Sequence, residues 1–182
     1  QSPEGGFYAA EDAESEGEEG KFYVWMLDEW LDVLGEEEGR LWADVFNLEE
    51  DGNFRDEATG QKTGANIPHL QKGWEQVARD HDMEPAELAE RWEQARKTLF
   101  DVREERVRPG RDDKQIAGWN GLAIAAFARA ARATDSDKYL ETARSAADFV
   151  LRELRPDDGR LRRYYREGVG KPRAYADDYA YL

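Results

Sequence analysis

Apolar residues along the chain recur in helical phase over several stretches, and the gaps between them carry the turn formers. Leu27, Trp30, Leu31 and Leu34 share one face of a short helix that ends at Gly35, where a permissive backbone suits a helix terminus. Leu41, Trp42, Val45 and Phe46 predict a second. A longer amphipathic helix is expected from Pro85, whose fixed φ and missing donor fit a first turn, through Leu88, Trp92, Ala95, Leu99 and Val102. Along it Glu87 with Arg91 and Glu93 with Lys97 stand four apart in the favourable order for ion pairs, and Pro109-Gly110 closes the segment.

Residues 119–133 follow a different pattern. Leu122, Ala123, Ile124, Ala125, Ala126, Phe127, Ala128, Ala130 and Ala131 occupy almost the whole circumference, interrupted by Arg129 and Arg132. A helix apolar all round needs to be enclosed by other elements, so this one is expected to be central. The helix after it is one-sided: Tyr139, Leu140, Ala143, Ala147, Val150, Leu151 and Leu154 face inward, with Asp135 or Ser136 as its cap. The short link between the two predicts an antiparallel pair.

Two aromatic-rich stretches, residues 6–9 and 21–25, are read as the strands of a loose hairpin around an acidic loop. Residues 51–53 and 58–66 read as turns and irregular chain, and Asp158-Gly159 as another turn. Residues 161–165 are expected to form a short strand, 168–172 a loop, and Tyr175 to Leu182 the opening of a further helix. An aromatic hairpin thus precedes one helix pair and recurs before the next helix. Such a weak repeat suits stacked or closed helical architectures as well as an irregular helical domain.

A chain of 182 residues can bury a full core as one domain. Its 41 Asp and Glu against 26 Lys and Arg give a net charge of −15, which disfavours nucleic acid and anionic membrane surfaces as partners. Most of the cations are Arg, which pairs carboxylates bidentately, and concentrated salt would screen the repulsion within so acidic a surface. Adaptation to salt is therefore expected. Without Cys, disulfides and thiolate chemistry are excluded. No apolar run reaches the roughly 20 residues needed to span a bilayer, and no leader pattern opens the chain, so a cytoplasmic location is expected.

Five separated stretches resemble one family: residues 6–13 (Gly-Phe-Tyr-Ala-Ala-Glu-Asp-Ala), 20–25 (Gly-Lys-Phe-Tyr-Val-Trp), Asp112-Asp113-Lys114, Trp119-Asn120-Gly121-Leu122 and Asp177-Asp178-Tyr179-Ala180. It is the thioredoxin-domain-containing family that includes spermatogenesis-associated protein 20. The resemblance covers nearly the whole chain. It implies a mainly α fold, a partial α/α toroid of the six-hairpin glycosidase-like type over residues 1–182, with short β-hairpins between helix pairs. The thioredoxin-like domain and the last hairpins of that family are expected to lie outside this chain, leaving it truncated at both ends. A carbohydrate role follows from fold similarity alone.

Glycoside chemistry needs one protonated carboxyl and one carboxylate about the bond. Asp112, Asp113, Asp177 and Asp178 qualify by type, each pair standing at the start of an expected inner helix, where helix capping is the competing role. Substrate contacts are assigned to Glu11, Asp12, Trp119, Asn120 and Tyr179. Indole can stack on a sugar and an amide can bind two hydroxyls, although for Trp119 core packing is the stronger expectation. Asp12, Glu14, Glu16 and Gly17 mimic the opening of a calcium loop whose closing Glu falls at Tyr23, and only His69 and His81 could serve as imidazole ligands. No metal and no cofactor are expected. The chain therefore reads as a carbohydrate-active segment, hydrolase or epimerase-like, or as a non-catalytic helical scaffold that binds a protein or saccharide. The expected partners are a saccharide or small polar molecule and, through exposed apolar faces, a second copy.

Overall fold

The computed structural model describes residues 1–56, 59–157 and 159–182, so Ala58 and Asp158 of the expected turns lie outside the described residues. The fold is mainly α-helical with short β-hairpins. Two compact units form it, one from Gln1–Asp12 with Gly110–Leu182 and one from Ala13–Pro109. Among the described residues no helix is long and apolar enough to cross a membrane.

In the unit of residues 13–109, β2 (Glu14–Ser15) pairs with β3 (Glu18–Glu19), and β4 (Trp25–Met26) leads into α1 (Leu27–Leu34) and α2 (Glu36–Val45). β5 (Ala65–Asn66), α3 (Trp74–Asp80) and α4 (Pro85–Glu104) follow. The periodicity of α1 and α4 is realised as expected, with Gly35 at the α1–α2 junction holding φ +79°. Trp42, fully buried, is the centre of the core. Its ring packs 5.1 Å from that of Trp92 and 6.3 Å from that of Trp74, while its indole N–H donates to Glu38 at 3.0 Å. The two expected i,i+4 ion pairs of α4 do not form. Arg91 reaches across to Glu38 on α2, and Glu93 takes Arg96 one turn on, because the planar guanidinium fork holds a carboxylate more firmly than a Lys does.

The aromatic stretches expected to pair with each other do not. In this unit β4 pairs with β5, Trp25 opposite Asn66, so the partner of the 21–25 stretch comes from the segment read as irregular. Asn66 is what closes this segment. It is fully buried, accepts from the backbone N–H of Glu49 and Asn53, and donates to the carbonyls of Trp25, Glu49 and Gly64.

The other unit begins with β1 (Ala10–Glu11), which pairs antiparallel with β6 (Arg111–Asp112). β7 (Gln115–Ile116) runs directly into α5 (Ala117–Thr134), and α6 (Asp137–Phe149) folds back against it, capped by the Ser136 side chain. Asp135, the other cap candidate, instead ends α5 in the left-handed conformation. α6 widens into a π-helical turn over Val150–Leu154. β8 (Arg162–Arg166) and β9 (Val169–Arg173) form a hairpin that extends β7, and α7 (Ala176–Ala180) follows. The segment read as a loop is thus β9. Glu167 and Gly168, with φ of +55° and +78°, make the tight two-residue turn that brings it back along β8. The core gathers Ala117, Phe149, Val150, Leu154 and Leu161, with the Tyr165 ring edge-on to Phe149.

α5 is not enclosed. Leu122, Ala125 and Ala126 are exposed, so one face of this nearly all-apolar helix meets solvent.

Candidate functional site at the start of α5

Three segments meet at the first turn of α5. The first is the stretch around Phe7, which is bound to Asn120: the Asn120 Oδ1 accepts from Phe7 N–H at 2.7 Å, and Nδ2 donates to Phe7 O at 3.1 Å and to Ile116 O at 2.9 Å. Asn120 is 1% exposed, and this doubly bonded amide acts as a clip between extended chain and helix.

The second is α7. The chain after it packs so closely on α5 that a Cβ on Gly121 would lie 2.2 Å from the Tyr181 carbonyl oxygen. From α7, Asp178 reaches the free amides of α5. Its Oδ1 accepts from Gly118 N–H at 3.2 Å, and its Oδ2 accepts from Tyr175 N–H at 3.0 Å. A carboxylate at a helix N-terminus satisfies orphan donors and faces the positive end of the helix dipole. The third is β8, whose Arg163 stands 3.4 Å from the same carboxylate and lies over the Tyr175 ring at 4.4 Å. Asp178 is 2% exposed, so one carboxylate serves two helix starts and an arginine in a dry setting.

Asp177 is exposed on the same helix. Tyr179 accepts from Leu161 N–H at 2.9 Å through its hydroxyl, while much of its ring remains open. Trp119 is 55% exposed and Tyr175 61%. The packing expectation for Trp119 is therefore overturned: Gly118, Asn120 and Gly121 occupy the buried side of the first turn, and the intervening position points outward. These two rings are the most exposed aromatic surfaces of the site.

Asp112 and Asp113 lie on β6 and the turn after it, and neither caps α5, whose N-terminal flank Ile116 carries no side-chain cap. The Lys114 ammonium and then its backbone N–H, both bonded to Asp112, hold that carboxyl below the usual carboxylate range. Asp113 pairs with Arg111 at 2.6 Å, and Arg111 in turn covers the Tyr8 ring at 4.0 Å. Glu11 is exposed on β1, opposite Arg111, and the Asp12 N–H donates to Gly110 O at 2.7 Å. Among the described residues the pair Asp112–Asp113 shares no hydrogen bond or ion pair with Asp177–Asp178. No group of three or more His, Asp or Glu among them could hold a metal ion. Arg163 was not identified from sequence, since its neighbours Arg160 and Arg162 offer the same charge and only the hairpin register distinguishes them.

No family model matches the chain. An uncharacterized protein of Caenorhabditis elegans is 33% identical over 98% of this chain and 28% of its own length. Spermatogenesis-associated protein 20 of Mus musculus is 30% identical over 91% of this chain and 23% of its own length, and that of Homo sapiens is 29% identical over the same shares. The chain is homologous to these proteins at family level. It spans only 23% to 28% of the length of these relatives.

Proposed function

We propose that this chain is a segment of an α/α toroid of the six-hairpin type, and that the start of α5 binds a saccharide or a similar small polyhydroxylated molecule without turning it over. The observation that carries this reading is the contrast between the rings and the carboxylates of the site. Trp119 and Tyr175 present open ring surface, Tyr175 on the side away from Arg163, and a sugar ring stacks on such a surface. Asp178, Asp112 and Asp113 are already engaged by backbone amides, Lys114 and Arg111. Hydrolysis of a glycosidic bond requires a carboxyl that gives up a proton to the leaving group. The Lys114 contact works against that role at Asp112, because it favours the ionised form.

The toroid reading draws on the homology, on the pairing of the nearly all-apolar α5 with the one-sided α6, and on the hairpin that follows them. In such a ring, neighbouring helices would cover Leu122 and Ala125. A panel of mono- and oligosaccharides tests the functional part, with binding followed by calorimetry and product formation by chromatography in the same samples. Binding of a panel member that is lost in Trp119→Ala, with no product formed, is the expected result. Product formation that is lost in Asp112→Asn would replace this reading with a catalytic one.

A further inference from the structure

The arginines of α4 and the chain just after it are paired with carboxylates, with one exception. Arg91 holds Glu38, Arg96 holds Glu93, Arg106 holds Glu29 and Arg108 holds Glu104. Arg103 holds none. Its guanidinium carbon lies 5.5 Å from the centre of the Phe22 ring, 5.7 Å from Tyr23 and 5.4 Å from Phe100, and its buried Nε has no hydrogen-bond partner among the described residues. In a chain with 41 acidic residues, a half-buried cation without an anion stands out. Burying such a charge is costly until an anion meets it.

Arg103 also lines a cavity of about 330 Å³, within the range of small-molecule sites. Its walls include the rings of Trp25, Phe46, Trp92 and Phe100, and no carboxylate contributes to the lining. The second cation there, Arg96, is occupied through two hydrogen bonds to Glu93. We propose that this cavity binds a small aromatic carboxylate, with its carboxylate on Arg103 and its ring against the aromatic wall. One guanidinium matches one carboxylate in fork geometry, and the strongly negative chain disfavours anions of higher charge. The ring-lined wall selects an aryl group over a bare anion.

Phenylacetate is the probe, titrated into the protein while tryptophan fluorescence is recorded, with phenylacetamide and acetate as controls. Phenylacetate should saturate, and both controls should bind at least about tenfold more weakly, the loss expected for one charge-assisted hydrogen-bonded contact. Arg103→Met should weaken phenylacetate by the same factor, and Arg103→Lys by less. Absence of phenylacetate binding, equal affinity for the amide, or full affinity in a folded Arg103→Met variant would each overturn the proposal. Should Arg103→Met fail to fold, the comparison of acid with amide on the unaltered protein decides.

Discussion

Removing the Asn66 side chain should be among the most damaging single changes in this chain. Its Oδ1 takes two backbone protons, from Glu49 and Asn53, and its two amide protons are shared over three carbonyls. Counting four hydrogen-bond equivalents at about 1 kcal/mol each, Asn66→Ala should cost about 3–5 kcal/mol. That is a large part of the roughly 5–15 kcal/mol that stabilises a typical domain. Asn66→Asp separates donor from acceptor. It keeps the two accepted bonds but turns an oxygen toward the three carbonyls, so its carboxyl should hold a proton above the usual range in the folded state. The folded form then binds a proton that the unfolded form has released, and the variant should lose stability as pH rises above the unfolded value of about 3.9. Urea unfolding followed by tryptophan fluorescence, at pH 5 and pH 8, reads both effects. An Asn66→Ala loss below about 1 kcal/mol would refute the role assigned to this amide.

Further outcomes can be checked with the same preparation. Gly121→Ala should lower the melting temperature by the equivalent of about 1–3 kcal/mol, because its Cβ would strike the Tyr181 carbonyl, whereas an open helix site would gain stability from alanine. A rise would contradict that close approach. The melting temperature should climb as potassium chloride approaches molar concentration, since screening relieves the repulsion of a −15 chain, and a flat or falling curve would remove the salt reading. Lys114→Met should move the Asp112 titration, followed by carboxyl NMR, upward toward the ordinary range, because the ammonium is its main depressing contact; an unmoved titration would discount that contact.

Much of the helical content is legible from the residues because α1, α4 and α6 carry enough apolar repeats to define a face and α5 is apolar almost all round. The cap of α6 can be narrowed to Asp135 or Ser136, and only the fold assigns it to Ser136. Strand pairing cannot, because two-residue strands hold no register information: Ala10 meets Asp112 across about a hundred residues, and Trp25 meets Asn66 through a segment that looks irregular. The site shows the same division. Asn120 is recognisable as a buried amide needing partners, yet only the fold reveals that the partners are the backbone of Phe7 and Ile116. Trp119 reads as core because large aromatics usually are, but its place between residues facing the interior turns it outward. Asp178 is visible as a carboxylate at a helix start, and its second helix, α5, is not.

The central claim is that the start of α5 binds a polyhydroxylated ligand through its open rings while its buried polar groups hold the fold. The most direct measurement is an NMR titration of the indole N–H of Trp119 and the side-chain amide of Asn120 with the oligosaccharide that binds most strongly in the panel. The account predicts a saturable shift at Trp119 and an unmoved Asn120 amide, since that amide is fully engaged by backbone. A Trp119 signal that stays fixed while the ligand binds elsewhere would contradict it.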